Sequence, residues 1–339
     1  MHAAHRTPLP APTGAHCTSH PSWLRLAATA LLSLCLAAPA QAFDLQAHRG
    51  GRGLMPENTL ASFENALRMG VTTLELDIAI TADGVPVISH DPNINPALAR
   101  DPQGRWLQGA GPLIRSLSLA QVQAYDVGRL DPESAYARSF AEQQPRDGQR
   151  IPTLAALFQR VKQLGANEVQ FDIETKTFPN RPEATLAPEQ FVRILLAAIR
   201  DAGMTRRVMI QSFDWRTLQL VQALEPGLRT VYLTIQSRSS NNLADGSWTG
   251  GAKLGDYPSA AHMVKAAGGP IWSPNYNNVD QAAVRGAREL GLQVIPWTVN
   301  EVGDMRRLMD WGVDGIITDY PDRLRELMRE RGLALPKGL

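Results

Sequence analysis

The run Thr73-Leu74-Glu75-Leu76-Asp77-Ile78-Ala79-Ile80 alternates without a break. A strand turns successive side chains to opposite faces. Leu74, Leu76, Ile78 and Ile80 therefore share one face, and Thr73, Glu75, Asp77 and Ala79 the other. Val169 to Thr175 repeats the pattern. Val169, Phe171 and Ile173 face outward; Gln170, Asp172, Glu174 and, just beyond, Lys176 face inward. Two strands thus carry carboxylates on one side and helix-packing residues on the other.

Further extended runs are Leu45–His48, Val85–Ser89, Arg207–Gln211, Arg229–Leu233, Gly269–Ser273, Leu292–Trp297 and Gly315–Thr318. Helical periodicity falls between them, over Asn58–Met69, Leu154–Leu164, Pro188–Ala202, Trp215–Leu224, Val279–Leu290 and Val302–Trp311. Asn58 is the expected N-cap of the first helix and Gly70 its stop. Alternating strands and helices predict a parallel sheet with helices outside. About eight such units predict an α/β fold of the TIM type, a (β/α)8 barrel. The runner-up is a doubly wound open sheet, but no Gly-rich nucleotide loop follows the first strand. The runs number one too many for eight strands. Asp83-Gly84 is too short for a parallel crossover, which takes ~12 residues. Either Val85–Ser89 is a hairpin partner or another assignment is wrong. Residues 92–150 are rich in Pro, Gly, Asp, Gln and Arg and read as a small insertion after His90-Asp91, within one barrel domain over 43–339.

Residues 1–42 hold two Arg, four His and no acidic residue, an apolar run from Leu26 to Ala38, and then Ala40-Gln41-Ala42. That is the order of a cleaved export signal. The apolar run is short for a membrane span, which takes ~20 residues, and an uncleaved N-terminal anchor is the alternative. Cleavage after Ala42 removes both cysteines, Cys17 and Cys35. It leaves three of the seven histidines: His48, His90 and His262. The whole chain has 34 Lys and Arg against 33 Asp and Glu. No basic field exists to hold nucleic acid, and the mature chain carries no amphipathic helix of the interfacial type.

In a barrel, residues at the C-terminal ends of strands build the active site. His48-Arg49-Gly50 ends the first run and His90-Asp91 ends the run after the turn. Two histidines there suit acid–base work, although each alone reads as a structural side chain. Inward carboxylates need compensating cations. Asp and Glu oxygens suit Mg2+ or Ca2+; buried ion pairs with Arg49 and Lys176 are the other reading, and alternation leaves both open. His262 reads as structural or surface.

Taken together, His48-Arg49-Gly50, Pro56-Glu57-Asn58-Thr59, Glu75-x-Asp77, Thr81-x-Asp83-Gly84, His90-Asp91, Asp172-Ile173-Glu174-Thr175-Lys176, Ser212-Phe213, Trp297-Thr298-Val299-Asn300 and Gly312-Val313-Asp314-Gly315-Ile316-Ile317-Thr318-Asp319 resemble the glycerophosphodiester phosphodiesterase family, in order, from residue 47 to 321. Each block is weak alone; the ordered set is specific. Asp172 stands where the family usually has Asn. The resemblance implies a TIM-type barrel and one divalent cation, Ca2+ or Mg2+, on Glu75, Asp77 and Glu174. It implies acid–base work by His48 and His90, and phosphate contact by Arg49 and Lys176. Glu57 is expected to orient His48 or Arg49, Ser212 to bond behind the ligands, and Trp297 to pack on the polyol. Asp319 reads equally as a helix N-cap before Pro321.

The implied reaction splits a small glycerophosphodiester into sn-glycerol 3-phosphate and an alcohol, through attack of the glycerol 2-hydroxyl and a cyclic phosphate. The implied location is the periplasm. The polar stretch 236–262, with Trp248, reads either as a loop over the mouth that selects the alcohol or as a solvated loop. Rival readings are a lysophospholipase D, a non-catalytic phosphodiester-binding barrel and a glycosidase. The identity of the alcohol and the oligomeric state stay open.

Overall fold

The computed structural model describes residues 42–339. The export signal expected over 1–42 lies, but for its last residue, outside the described residues. In chain order the elements are β1 (Asp44–Ala47), α1 (Leu60–Met69), β2 (Thr73–Ile80), β3 (Pro86–Ile88), α2 (Leu119–Val122), α3 (Ala135–Ser139), α4 (Leu154–Gln163), β4 (Gln170–Thr175), α5 (Pro188–Asp201), β5 (Val208–Ser212), α6 (Trp215–Leu224), β6 (Arg229–Thr234), α7 (Ala260–Ala266), β7 (Ile271–Pro274), α8 (Gln281–Glu289), β8 (Gln293–Val294), α9 (Val302–Trp311), β9 (Gly315–Thr318) and α10 (Pro321–Glu330).

Eight strands run parallel in the order β8-β7-β6-β5-β4-β2-β1-β9. Asp314 N donates to Val294 O at 2.9 Å and Ile317 N to Pro296 O at 3.0 Å, drawing β9 beside the β8 segment. The sheet is thereby a nearly closed (β/α)8 barrel. The surplus run resolves as a hairpin: β3 pairs antiparallel with β2, Ile78 opposite Ile88 and Ile80 opposite Pro86. Only a short turn separates these runs, so an antiparallel return is the sterically available pairing.

Two local expectations are corrected. Asn58 does not cap α1. Thr59 does, exchanging bonds with Ser62 (Ser62 N to Thr59 Oγ1 3.1 Å, Thr59 N to Ser62 Oγ 3.2 Å). Asn58 instead takes a left-handed backbone, φ 55, and turns its amide toward Asp77. The strand read over Leu292–Trp297 shrinks to Gln293–Val294. Pro296 has no N–H to give a ladder, although Ile295 N and Trp297 N still bond β7 at 3.0 Å.

The outward residues of β2 and β4 make the main core. Leu74, Leu76, Ile78, Phe171 and Ile173 are fully buried with Phe63 and Leu67 of α1 and Leu157, Phe158 and Val161 of α4. Between Ile88 and Leu154 the chain has the short helices α2 and α3 and a 3-10 turn at Ile114–Ser116. That stretch carries its own apolar cluster, with Ile94, Ala99, Ile114, Val122 and Ile151 against Ala79 and Val87. Among the described residues no helix is long and apolar enough to cross a membrane.

Candidate active site

Strand register brings the charged residues together. Glu75 lies opposite Asp172 and Asp77 opposite Glu174 across the β2–β4 ladder. All four side chains point into the barrel and are nearly or wholly buried. One carboxylate oxygen from each of Glu75, Asp77 and Glu174 lies within 4.8 Å of the others. This is the trio that the family resemblance implies, drawn from the four inward carboxylates of the alternation.

Two cations flank it. Lys176 Nζ sits 2.8 Å from Glu174 Oε1 and 3.6 Å from Asp77 Oδ1. Arg49 Nη1 donates to Glu57 Oε1 at 2.8 Å, and its Nε lies 3.4 Å from Asp77 Oδ2. Burial, and then the charges of Asp77 and Glu174, hold the Glu75 carboxyl well above the usual range. Burial likewise pushes Glu174 up to about 7 against the pull of Lys176. Burial raises Asp77 too, but His90, Lys176 and Arg49 together hold it below its ordinary value. Asp77 Oδ1 is buried without a hydrogen-bond partner. The donor set is all hard oxygen, and one of those oxygens is unpaired. It fits a divalent cation.

Charge supports that fit. Counted as ionised, Glu57, Glu75, Asp77, Asp91, Glu174 and Asp319 are six carboxylates; Arg49, Arg52 and Lys176 are three cations. Three negative charges remain if both histidines are neutral.

The histidines stand at the mouth. His48 Nδ1 meets Asp319 Oδ1 at 2.5 Å, and its Nε2 lies 4.0 Å from Glu75 Oε2. Asp319 is held by Arg52 Nε on Oδ1 at 2.7 Å and by Asn300 Nδ2 on Oδ2 at 2.7 Å. Burial opposes ionisation of Asp319, but His48 and Arg52 keep it well below the usual carboxylate range. An ionised Asp319 accepts a hydrogen bond from His48 Nδ1–H, which fixes that tautomer and leaves Nε2 as a free base. Burial, with Arg52 beside it, lowers His48 to about 4. His90 Nδ1 meets Asp91 Oδ1 at 3.1 Å, and Asn95 holds the other Asp91 oxygen at 2.6 Å. Burial, then Arg49 and Lys176, lowers His90 as well. Each imidazole is thus backed by a carboxylate.

A cavity of about 110 Å3 opens between these groups. His48, Arg49, Glu75, His90, Glu174 and Trp297 all line it. The Trp297 ring is fixed by Nε1 donating to Ser273 O at 3.0 Å and by an edge contact with Phe213 at 5.3 Å. A larger hollow of about 370 Å3 lies at the other end of the strands, near Phe43, Val71 and Leu335. It gathers no histidine and no carboxylate group of this kind, so the chemistry belongs to the smaller cavity.

Several sequence expectations find their positions here. Glu57 holds Arg49, as one of its two expected roles requires. Ser212 stands a layer back: its Oγ donates to Thr175 O at 3.1 Å, between Glu174 and Lys176 in the chain. Asp319 is not a helix cap; Tyr320 precedes α10 and makes no side-chain cap, while the Asp319 carboxylate is spent on His48. Asp172 is fully buried, does not line the cavity, and has no partner on either oxygen. Burial and the nearby Asp44 push its carboxyl well above the usual range. His262 is exposed, with its Nδ1 2.9 Å from Ser259 Oγ. The 236–262 stretch contributes no residue to the cavity lining; its Trp248 packs on Phe178 at 6.3 Å.

Sequence reasoning missed Asn95 and Asn300, which hold the carboxylates behind the histidines, and four further supports. Gln211 Nε2 donates to Glu75 Oε1 at 2.6 Å, and Asn58 Nδ2 to Asp77 Oδ2 at 3.1 Å. The strand alternation of β5 and the Pro-Glu-Asn-Thr block held signals for these. Arg52 and Tyr136 left no local signal.

Comparison with known proteins agrees with this geometry. The model of the glycerophosphoryl diester phosphodiesterase family matches residues 48–323. A glycerophosphodiester phosphodiesterase of Bacillus subtilis (strain 168) is 31% identical over 288 residues, 84% of this chain and 85% of that one. The crystal structure of a protein from Silicibacter pomeroyi DSS-3, described as a glycerophosphoryl diester phosphodiesterase, superposes with a TM-score of 0.79 at 36% identity, covering 88% of this chain and 96% of that one. A phosphodiesterase from Oleispira antarctica, solved with its product sn-glycerol-3-phosphate, shares the fold with a TM-score of 0.61 at 21% identity, over 85% of this chain and 97% of that one.

Proposed function

The chain belongs to the glycerophosphoryl diester phosphodiesterase family and is a phosphoric diester hydrolase; from that premise we propose that it cleaves small glycerophosphodiesters to sn-glycerol 3-phosphate and an alcohol, with one divalent cation and two histidines. The observation that carries this reading is the convergence of three buried carboxylates and two cations between two carboxylate-backed histidines.

Glu75, Asp77 and Glu174 hold the cation, Ca2+ or Mg2+. Bound there, it supplies Lewis-acid polarisation of a phosphoryl oxygen. Arg49 and Lys176 meet the phosphate and offset the charge that grows in the transition state. Both are locked by carboxylates, so they present fixed charge at little reorganisation cost. One histidine takes the proton of the glycerol 2-hydroxyl as its oxygen bonds to phosphorus. The other gives a proton to the departing alcohol oxygen as the old P–O bond breaks. Water then opens the cyclic phosphate with the two roles exchanged. Trp297 offers an apolar wall to the polyol carbons. Ser212 and Asp172 stand behind the cavity and do not line it.

The test is release of glycerol 3-phosphate from glycerophosphocholine by protein starting at Phe43, with and without EDTA, then with Ca2+ or Mg2+ restored. Loss on chelation and recovery with metal is the expected result. Full activity in EDTA removes the cation from the reading, and no release from several such diesters removes the substrate class.

The proposed mature form is a single barrel domain over 43–339, with 92–150 inserted, after removal of 1–42 during export to the periplasm. Periplasmic protein with Phe43 at its N-terminus supports this; intact Met1 in that fraction overturns it.

A further inference from the structure

The loop from His48 to Asn58 is the most contorted stretch among the described residues. Arg49 (φ 51) and Asn58 (φ 55) are the only non-glycine residues there with left-handed backbone. Such conformations persist when surrounding contacts over-determine them. Both side chains serve the same carboxylate, Asp77 (Arg49 Nε at 3.4 Å, Asn58 Nδ2 at 3.1 Å). Asn58 N closes the loop on Arg49 O at 2.9 Å.

A segment distant in sequence lies across this loop. Gln143 Nε2 donates to Arg52 O at 2.7 Å, and Gln144 N to Leu54 O at 2.8 Å. The Arg52 guanidinium rests on the Phe140 ring at 4.8 Å. The Tyr136 hydroxyl accepts from Arg52 Nη1 at 2.9 Å and donates to the Glu57 carboxylate. Arg52 holds Asp319, the partner of His48. Glu57 holds Arg49. One phenol oxygen therefore joins the histidine arm of the site to the phosphate arm. It does so without lining the cavity.

We propose that Tyr136 is a positioning residue for the diester hydrolysis: the 136–144 segment braces the strained 48–58 loop, and the Tyr136 hydroxyl keeps His48 and Arg49 in register through Arg52 and Glu57. The role in catalysis rests on the function proposed above; the brace itself does not. Misplacing reacting groups by an ångström costs turnover while leaving the binding surface largely intact.

Tyr136→Phe removes the hydroxyl and keeps the ring, which packs edge-on against Phe140 at 5.0 Å. With glycerophosphocholine, kcat is expected to fall about 10- to 100-fold, with KM within about threefold of the parent. Hydrogen exchange in the metal-free protein should accelerate over 48–58, with the barrel strands unchanged. Gln143→Ala loosens the same loop elsewhere and should act in the same direction, more weakly. A Tyr136→Phe kcat within about threefold of the parent, or unchanged exchange over 48–58, overturns the proposal. If the parent protein hydrolyses no diester, that result strikes the proposed function, and the exchange measurement still decides whether the brace exists.

Discussion

The two halves of the barrel interior are equally buried and chemically opposite. On the β5 to β9 side, Met209, Val231, Ile271, Ile295 and Ile317 pack on one another as an apolar cluster. On the β1, β2 and β4 side the same depth is filled by Gln46, Thr73, Glu75, Asp77, Asp172 and Glu174. The unmade bonds are divided just as unevenly. Among the described residues, buried side-chain atoms without partners belong to Gln46, Arg49, Asn58, Asp77 and Asp172 on or beside this side, to Gln211 of β5, which reaches across to Glu75, and to Arg331 elsewhere. Each such atom costs about 1–3 kcal/mol. One half contributes stability and the other gives some of it up to hold charge where a phosphate is to react.

The contrast breaks most sharply at the carboxylate trio. Glu75→Gln should abolish Ca2+ or Mg2+ binding by calorimetry and lower kcat/KM by about a thousandfold or more, since a Lewis acid supplies several kcal/mol. The same change removes a like charge that burial and two neighbours disfavour. The metal-free variant should therefore melt no lower than the parent, and by about 1 kcal/mol higher. A clear fall in Tm would mean that the carboxylate is structural.

His48→Ala should reduce kcat by about 10²–10⁴-fold. Asp319→Asn, which removes the anion that selects the Nδ1–H tautomer, should lose about a hundredfold or more. Near-normal turnover in either variant would detach the His48–Asp319 pair from the chemistry.

A pH profile sharpens the comparison. His48 sits at about 4 because it is buried beside Arg52. As a base it must be unprotonated, so the acid limb of kcat/KM should fall below about pH 5, not near the ordinary imidazole value of about 6.5. The same shift means that the unfolded chain binds this proton more readily than the folded one. Stability should therefore decline as pH drops from about 6.5 toward 4, and a His48→Ala variant should lose part of that dependence.

The smallest effect belongs to the apolar half. Ile271→Val should cost about 0.5–1.5 kcal/mol in denaturant unfolding and leave kcat and KM unchanged. A change in turnover there would show that the two halves are not independent.

Much of this division is legible in the sequence. Leu74, Leu76 and Ile78 against Glu75 and Asp77 is a period-two pattern, and β2 follows it residue by residue. The repeat in β4 turns Asp172, Glu174 and Lys176 inward for the same reason; the family resemblance separates Glu174 and Lys176 from Asp172. The cap of α1 was misread because Asn58 and Thr59 are both good caps; which of them caps depends on what lies above the loop. The strand over 292–297 was overextended because hydrophobicity hides the missing N–H of Pro296.

By itself the sequence determined the alternation, the order of most of the barrel's strands and helices, and the residues that carry charge into the barrel. Those are local properties, set by side-chain direction and hydrophobic period. Only the tertiary structure decided how distant parts meet: β3 folding back on β2, Asp319 of the last strand end closing on His48 of the first, and Tyr136 reaching Arg52 and Glu57. These contacts join residues up to 271 positions apart. No local propensity encodes them, because their geometry follows from closing the sheet and packing the 136–144 segment across the loop beyond His48.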